Sequence, residues 1–219
     1  MRHPRPLRPL LLLFCITTVP WAPRPAIAAP TDDPVGREIA AGDATALAAR
    51  GRSVLPQIVA AYRAAATPQE KATLAYLLYQ LGWESPEAER ALLADVHTQD
   101  PTLRVQVQWA LGRVSADPEV VSILLGILRN DPNPLFRDKA ACALAEDQIH
   151  LAPAQKVALF AGLIDALSDG EPQIRQIAIQ ALHILTGQIK GFRPAAPEEE
   201  RGAAIDRWRK WLEDYKAAL

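Results

Sequence analysis

The chain has 219 residues, of which 49% are hydrophobic and only 6% aromatic, and its formal net charge is −1. This length and apolar content suffice for a sizeable core within one domain. Alanine and leucine supply most of the apolar residues and favour helices, whereas the alternating valine, isoleucine and threonine runs that indicate strands are missing. The charge balance excludes the basic surface that a nucleic-acid-binding protein presents.

The first 28 residues have the three-part layout of a secretory signal peptide. Three arginines among the first eight residues precede the apolar run Leu10–Val19, and small residues follow up to Ala28. We predict cleavage near Ala28 and export to the periplasm or the extracellular space. The alternative is a retained membrane anchor. The apolar run has ten residues, about half of the roughly 20 that a spanning helix needs, so we expect no stable membrane span in the mature chain.

Cleavage would change both the charge and the thiol content. Residues 1–28 contain four arginines and no acidic residue, so the mature chain keeps 20 basic and 25 acidic residues and a net charge of −5. Cys142 then remains as the single cysteine, which excludes an internal disulfide. We therefore expect packing alone to stabilise the mature protein.

Four segments share one pattern: a short or acidic polar residue, a proline, a basic residue three positions later, and a leucine seven positions after that. The segments are TPQEKATLAYLL from Thr67, DPTLRVQVQWAL from Asp100, NPLFRDKAACAL from Asn133 and EPQIRQIAIQAL from Glu171. Their starts are spaced by 33, 33 and 38 residues, and such periods are typical of repeat proteins. The closing leucines are predicted to face the core; they are Leu78, Leu111, Leu144 and Leu182.

The polar–Pro pairs predict where helices begin, because a short polar side chain caps the first turn and proline fits the first helical position. Six such pairs occur between Asp33-Pro34 and Asn133-Pro134. Glycines near the ends of the apolar periods predict where helices end; these are Gly82, Gly112 and Gly187. The predicted helix pairs are 53–66 with 68–82, 86–97 with 101–114, 118–129 with 134–146, and 154–168 with 172–186, preceded by a short pair at 34–41 and 44–50 and followed by a helix at 198–217.

Helix pairs of this length, opened by DPNPLFRDKAACAL and DGEPQIRQIAIQAL, resemble HEAT repeats, in which a turn aspartate precedes a Val/Ile-Arg pair. Asp131 and Arg137 match this pattern, as do Asp169 and Arg175, each pair six residues apart. The resemblance implies an all-α fold, a right-handed α-solenoid of about four to five HEAT-like helix pairs with a C-terminal capping helix. It also implies that the second helices line the concave face and that the aspartates and arginines link neighbouring repeats.

The predicted domain organisation has four parts: a signal peptide (1–28), lead-in helices (29–52), a HEAT-repeat solenoid (53–187), and a loop with the capping helix (188–219). The sequence AAIDRWRKWLE in the last part is similar to endings that follow HEAT repeats in some exported bacterial proteins. One side of this helix is apolar, and we predict that it covers the open end of the last repeat; a docking role for its tryptophans is the alternative. The apolar residues are Ile205, Trp208, Leu212 and Tyr215, with Trp211 beside them.

The fourth repeat is preceded by five extra residues, which fall within 146–155. We interpret this segment as tolerated variation in loop length, with Pro153 opening the next helix. The alternative is a binding insert, since functional residues concentrate on loops.

The face of the second helices that points away from the core carries the candidate binding residues. Tyr76, Tyr79 and Trp109 are predicted to form an aromatic cluster on the concave face, and tyrosine and tryptophan dominate binding hot spots. The same face contributes three further candidates: Val105, Gln180 and His183. We predict a non-enzymatic scaffold that binds a protein or peptide partner here; the alternative role for the aromatic residues is lateral packing between repeats.

Signatures of catalysis or cofactor binding are sparse. The mature histidines, His97, His150 and His183, lie far apart, and neither a metal-binding histidine motif nor a glycine-rich phosphate loop is present. We therefore predict no cofactor, no metal and no enzymatic activity. The alternative is a HEAT-like lyase or cofactor-handling protein in which Cys142, His183 and Trp109 line one groove. A third hypothesis is a structural unit of a larger envelope complex.

Overall fold

The computed structural model describes residues 33–219, so the predicted signal peptide lies outside the described residues. Within that range the chain forms eleven α-helices and no strand, which confirms the all-α prediction. The helices are α1 (Pro34–Ala41), α2 (Ala44–Arg50), α3 (Leu55–Ala64), α4 (Pro68–Leu81), α5 (Pro86–Leu93), α6 (Pro101–Val114), α7 (Pro118–Asn130), α8 (Pro134–Glu146), α9 (Lys156–Ala166), α10 (Pro172–Thr186) and α11 (Glu198–Ala217), with a 3₁₀ turn at Arg52–Val54.

The six polar–Pro pairs all begin helices, as predicted. In each pair the polar side chain accepts a hydrogen bond from a backbone N–H of the first turn and the proline occupies the first helical position. At α4 the cap is reciprocal, because the Glu70 carboxylate accepts a bond from the backbone N–H of Thr67. The helix starts thus follow from local hydrogen-bonding chemistry.

Two of the three glycines predicted to end helices do so. Gly82 and Gly187 follow α4 and α10 with φ of 60° and 71°, the left-handed region that glycine enters without steric cost. The prediction for Gly112 is wrong, because this residue lies inside α6. A Cβ at Gly112 would stand 2.7 Å from Cβ of Asp147, so glycine is required there by the close approach of another segment.

The helices stack in two layers. In one layer α4 packs on α6, α6 on α8 and α8 on α10; in the other α3 packs on α5, α7 on α9 and α9 on α11. The repeat leucines Leu78, Leu111, Leu144 and Leu182 are at most 1% exposed, as predicted. Each helix is too short to be stable alone and buries its apolar side against its neighbours, so the protein is an α-solenoid.

Charged residues link the repeats, but only one junction follows the predicted aspartate–arginine pattern in full. Arg104 of α6 forms a buried ion pair with Asp131, which precedes α8. At the previous junction Lys71 pairs with Asp95 at 2.7 Å, an aspartate that the sequence pattern did not identify. At the last junction Arg137 donates to Gln173 at 2.7 Å and pairs with Glu171 at 3.5 Å. Asp169 links to the preceding repeat through Arg129 instead, at 4.0 Å.

The C-terminal helix α11 caps the last repeat, as predicted. Its buried residues are Ala204, Ile205, Trp208 and Leu212, and it packs on α9. Phe160 of α9 meets the rings of Trp211 and Tyr215 edge-on, at centroid distances of 5.0 and 5.2 Å. Among the described helices, none combines the length and the apolar character that crossing a membrane requires.

Candidate protein-binding surface

Three aromatic side chains form a continuous strip across α4 and α6, two neighbouring helices of the layer that also contains α8 and α10. Tyr76 and Tyr79 lie one turn apart on α4, and their stacked rings have centroids 5.8 Å apart. The ring of Trp109 on α6 lies 6.1 Å from that of Tyr79. All three side chains are half-buried, and Tyr79 and Trp109 also pack against the edge of the core. We call this strip the aromatic surface.

Arg113 borders the aromatic surface, one turn beyond Trp109. Its guanidinium carbon lies 4.8 Å from the ring centroid of Tyr79, within the distance of a cation–π interaction. Its Nε donates a hydrogen bond of 2.9 Å to Oδ1 of Asp147. The cation is therefore held between an aromatic face and a carboxylate.

Asp147 is itself almost fully buried, with 4% of its surface exposed. Burial raises the pKa of its carboxyl to about 6, against the hydrogen bond and the charge of Arg113, which lower it. Burial also raises the pKa of the Tyr79 hydroxyl, and the nearby charge of Asp147 adds to that effect. Tyr79, Arg113 and Asp147 thus form one electrostatically coupled group at the border of the aromatic surface.

The segment 147–155, which we call the bridging loop, runs from the end of α8 back to the earlier repeats. Nε2 of His150 lies 2.8 Å from the carbonyl oxygen of Gly82, the residue that ends α4. The Gln155 amide donates a 2.7 Å hydrogen bond to the carbonyl of Ala116, just after α6. The loop therefore connects the C-terminal ends of α4, α6 and α8, beside the aromatic surface.

One interpretation of the bridging loop from the sequence is wrong. The next helix begins at Lys156 rather than at Pro153, because Gln155 accepts a bond from the N–H of Ala152 and forms a turn there. The carbonyl of Pro153 instead accepts a 3.0 Å hydrogen bond from the hydroxyl of Tyr215. The segment therefore makes specific long-range hydrogen bonds, and the interpretation of its extra length as tolerated variation stays a prediction.

An open groove of about 490 Å³ adjoins the aromatic surface. Tyr79, Leu81 and Arg113 line one side of it, and the short helix α2 lines the other with Ala44 and Ala48. This volume lies within the range of roughly 300–1,000 Å³ that is usual for ligand sites. The aromatic surface therefore continues into a concave region instead of ending on a flat face.

The other predicted binding residues occupy different environments. Val105 is only 8% exposed, so its side chain contributes to packing and little to a surface. Gln180 and His183 are exposed on α10, which is separated from α6 by α8. Cys142 on α8 is half-buried. Within residues 33–219 no group of three or more histidine, cysteine or acidic side chains is arranged to hold a metal ion.

Comparison with known proteins identifies the class that the layered helix pairs define. Residues 55–145, which span α3 to α8 apart from its last residue, match the family model of HEAT repeats. This segment of the chain therefore consists of HEAT-like repeats, and it contains the whole aromatic surface. HEAT repeats are commonly scaffolds for protein interaction, and their fold is typically non-catalytic. No curated protein matches the chain.

Proposed function

We propose that this protein is an exported, non-enzymatic scaffold that binds a segment of a partner protein on its aromatic surface. The observation that carries the proposal is the continuous, half-exposed strip of Tyr76, Tyr79 and Trp109 beside an open groove. Tyrosine, tryptophan and arginine are the residue types that contribute most to protein-binding hot spots. This strip contains the first two types and is bordered by the third, Arg113.

The geometry supports binding without a large entropic cost. The stacked rings of the tyrosines restrict each other, and Arg113 is held by Asp147 and by the Tyr79 ring. A surface that is ordered before binding loses less side-chain freedom when the partner arrives. Because Asp147 balances the charge of Arg113, we expect the ligand to be an extended segment whose apolar or aromatic side chains cover the rings.

A photo-crosslinking amino acid at Tyr76, introduced in cells that produce the full chain, tests the proposal. We expect one partner protein to crosslink, and we expect Trp109→Ala to reduce this product strongly. A crosslinker at Ser122, which is exposed on α7 in the other layer, is the matched control. A folded Trp109→Ala protein that retains its full affinity for the crosslinked partner would contradict the proposal.

The export and the non-enzymatic parts of the proposal have their own tests. The intact mass of the protein recovered from the cell envelope is expected to correspond to a chain that begins after Ala28. The absorbance and mass spectra of the purified protein are expected to show the polypeptide alone. A bound chromophore that depends on Cys142 or His183 would instead support the cofactor-handling alternative.

A further inference from the structure

A second open groove, of about 610 Å³, lies beyond the last repeat. We call it the C-terminal groove. Its walls come from the loop after α10 and from α11, and the lining residues that matter here are Ile189, Lys190, Arg207, Lys210, Trp211 and Asp214. None of these residues belongs to the aromatic surface or to the segment that matches HEAT repeats.

The wall formed by the loop is fixed against α11 by specific contacts. Nε of Arg207 donates a 2.8 Å hydrogen bond to the carbonyl of Lys190, and a Cβ at Gly191 would stand 3.1 Å from the same guanidinium. Lys190 has a φ of 44°, a left-handed conformation that non-glycine residues rarely adopt and that costs free energy. The turn is therefore held by its packing on Arg207 and not by its intrinsic preference.

This turn places a cation over aromatic rings at the groove. Nζ of Lys190 lies 5.3 Å from the ring centroid of Trp208 and 5.8 Å from that of Trp211. Ile189, the preceding residue, leaves 49% of its surface exposed. The groove thus offers an aliphatic and an aromatic face directly beside positive charge.

The charge of the groove is opposite to that of the protein. Its lining contains three basic residues and one acidic residue, whereas the chain after residue 28 carries five more acidic than basic residues. Lys210 pairs with Asp214 at 3.4 Å. Nζ of Lys190 donates to the side-chain oxygen of Gln188, and Nε of Arg207 donates to the carbonyl of Lys190. Among the described residues, no carboxylate forms an ion pair with either side chain, so both positive charges remain without a counter-charge.

We propose that the C-terminal groove binds an acidic segment of a partner protein. Carboxylates of the segment contact the three basic residues of the lining, Lys190, Arg207 and Lys210, and an apolar side chain packs on Ile189 and Trp211. Opposite charges steer such a segment to the groove and fix its orientation. This site lies beyond the HEAT repeats and is independent of the aromatic surface.

A membrane with anionic lipids fits the groove less well than a peptide. Asp206, Glu213 and Asp214 alternate with the basic residues along α11, so the basic patch is short and lacks the extended run of lysine and arginine that attracts an anionic membrane. The apolar side of α11 also packs on α9, so it is not available for insertion between lipids.

Phage display tests this proposal. Short random peptides are selected for binding to the full chain that follows residue 28. The same selection is made on a Lys190→Asn/Lys210→Gln double variant, in which asparagine tolerates the left-handed backbone at position 190. Arg209→Gln is the control, because this substitution removes one positive charge from α11 at a residue that does not line the groove. Phosphatidylglycerol vesicles are tested in parallel.

We expect a class of peptides rich in aspartate and glutamate with one large apolar residue. These peptides should bind the double variant about ten-fold more weakly, the loss expected for about 1.4 kcal/mol of charge interaction, and should bind the Arg209→Gln and Trp109→Ala proteins unchanged. The same peptides with the same affinities on the wild type and the double variant would overturn the proposal. So would vesicle binding that requires Lys190 and Lys210 without any such peptide class.

Discussion

Two clusters of aromatic side chains, one in the first repeats and one at the C-terminal cap, differ in how their rings meet. In the aromatic surface the rings of Tyr76 and Tyr79 are stacked at 17°, and their faces remain half-exposed. In the C-terminal cluster, Phe160 meets Trp211 at 82° and Trp208 meets Trp211 at 85°, whereas Trp211 and Tyr215 are stacked at 26°. In both clusters the stacked rings are half-buried, and the buried rings of Phe160 and Trp208 are met edge-to-face.

The difference shows that the same residue types perform different tasks according to which side of the helix carries them. Trp208 is fully buried at the end of the last repeat, and among the described residues its indole N–H has no hydrogen-bond acceptor. Trp208 therefore contributes through packing and through the Lys190 ammonium over its ring. Trp109 is half-buried beside Tyr79, which suits the role in recognition proposed for it.

The largest effect is expected for Trp208→Ala. Loss of a fully buried tryptophan usually costs about 3–5 kcal/mol, and here it also opens the contact between α11 and α9. Urea unfolding followed by circular dichroism measures the change, and Trp208→Phe, which keeps part of the volume, should cost less. A Trp208→Ala protein as stable as wild type would show that α11 does not cap the solenoid.

Gly112→Ala is expected to destabilise the protein by about 1–3 kcal/mol, the usual cost of overpacking. The added methyl group would stand 2.7 Å from Cβ of Asp147 and 3.1 Å from the carbonyl of Ala143, so the start of the bridging loop must move away from α6. This displacement should also disturb Arg113 and weaken partner binding at the aromatic surface.

The matched control for this substitution is Gly126→Ala in α7, where no atom lies within 4 Å of the added methyl group. An unstrained Gly→Ala change inside a helix stabilises by about 0.5–1 kcal/mol. Thermal unfolding of both variants should thus give shifts of opposite sign. Equal shifts would mean that the bridging loop does not press against α6.

The helix layout could be predicted from the sequence because its signals are local. The side chains of Asp33 and Asn133 cap their own helices, and Gly82 ends its own helix. The apolar spacing likewise placed Leu111 in the core. Tyr76, Tyr79 and Trp109 could be grouped for the same reason, since equal positions in successive repeats lie side by side.

The features that the sequence did not predict all depend on partners that are distant along the chain. His150 reaches the carbonyl of Gly82 across 68 residues, and no local pattern specifies which carbonyl a loop histidine meets. Asp95 performs the role of the turn aspartate from a different offset. The prediction that Gly112 ends a helix failed for the same reason. The glycine is needed because Asp147 approaches too closely for a side chain, and this approach is visible only in the three-dimensional structure.

A smaller effect is expected from the titration of Asp147. Its pKa is about 6 in the folded protein, above the ordinary value of 3.8, because burial disfavours the carboxylate. Between these values the folded state binds more protons than the unfolded state, so this group stabilises folding increasingly as the pH falls from about 7 to about 4. The shift of the Asp147 pKa corresponds to about 3 kcal/mol of free energy of unfolding. Residual solvation of the ion pair reduces the expected gain in that free energy to about 1–2 kcal/mol.

The measurement compares the free energy of unfolding at pH 7 and pH 4.5 in the wild type and in Asp147→Asn. The asparagine variant lacks the titrating group but keeps the size of the side chain, so the other carboxylates contribute equally to both proteins. The wild type should gain stability relative to the variant as the pH is lowered. An opposite sign would mean that Arg113 controls the pKa of Asp147 more strongly than burial does.

The smallest change in stability is expected for Trp109→Ala. Because this side chain is half-exposed on α6, its loss should cost about 1 kcal/mol or less, near the range of surface substitutions. The same substitution is expected to weaken partner binding by more than 1 kcal/mol, as truncation of a hot-spot tryptophan usually does. Unfolding and binding measured on one preparation therefore separate recognition from packing. A large loss of stability would place Trp109 with Trp208 among the packing residues, and the contrast between the two aromatic clusters would disappear.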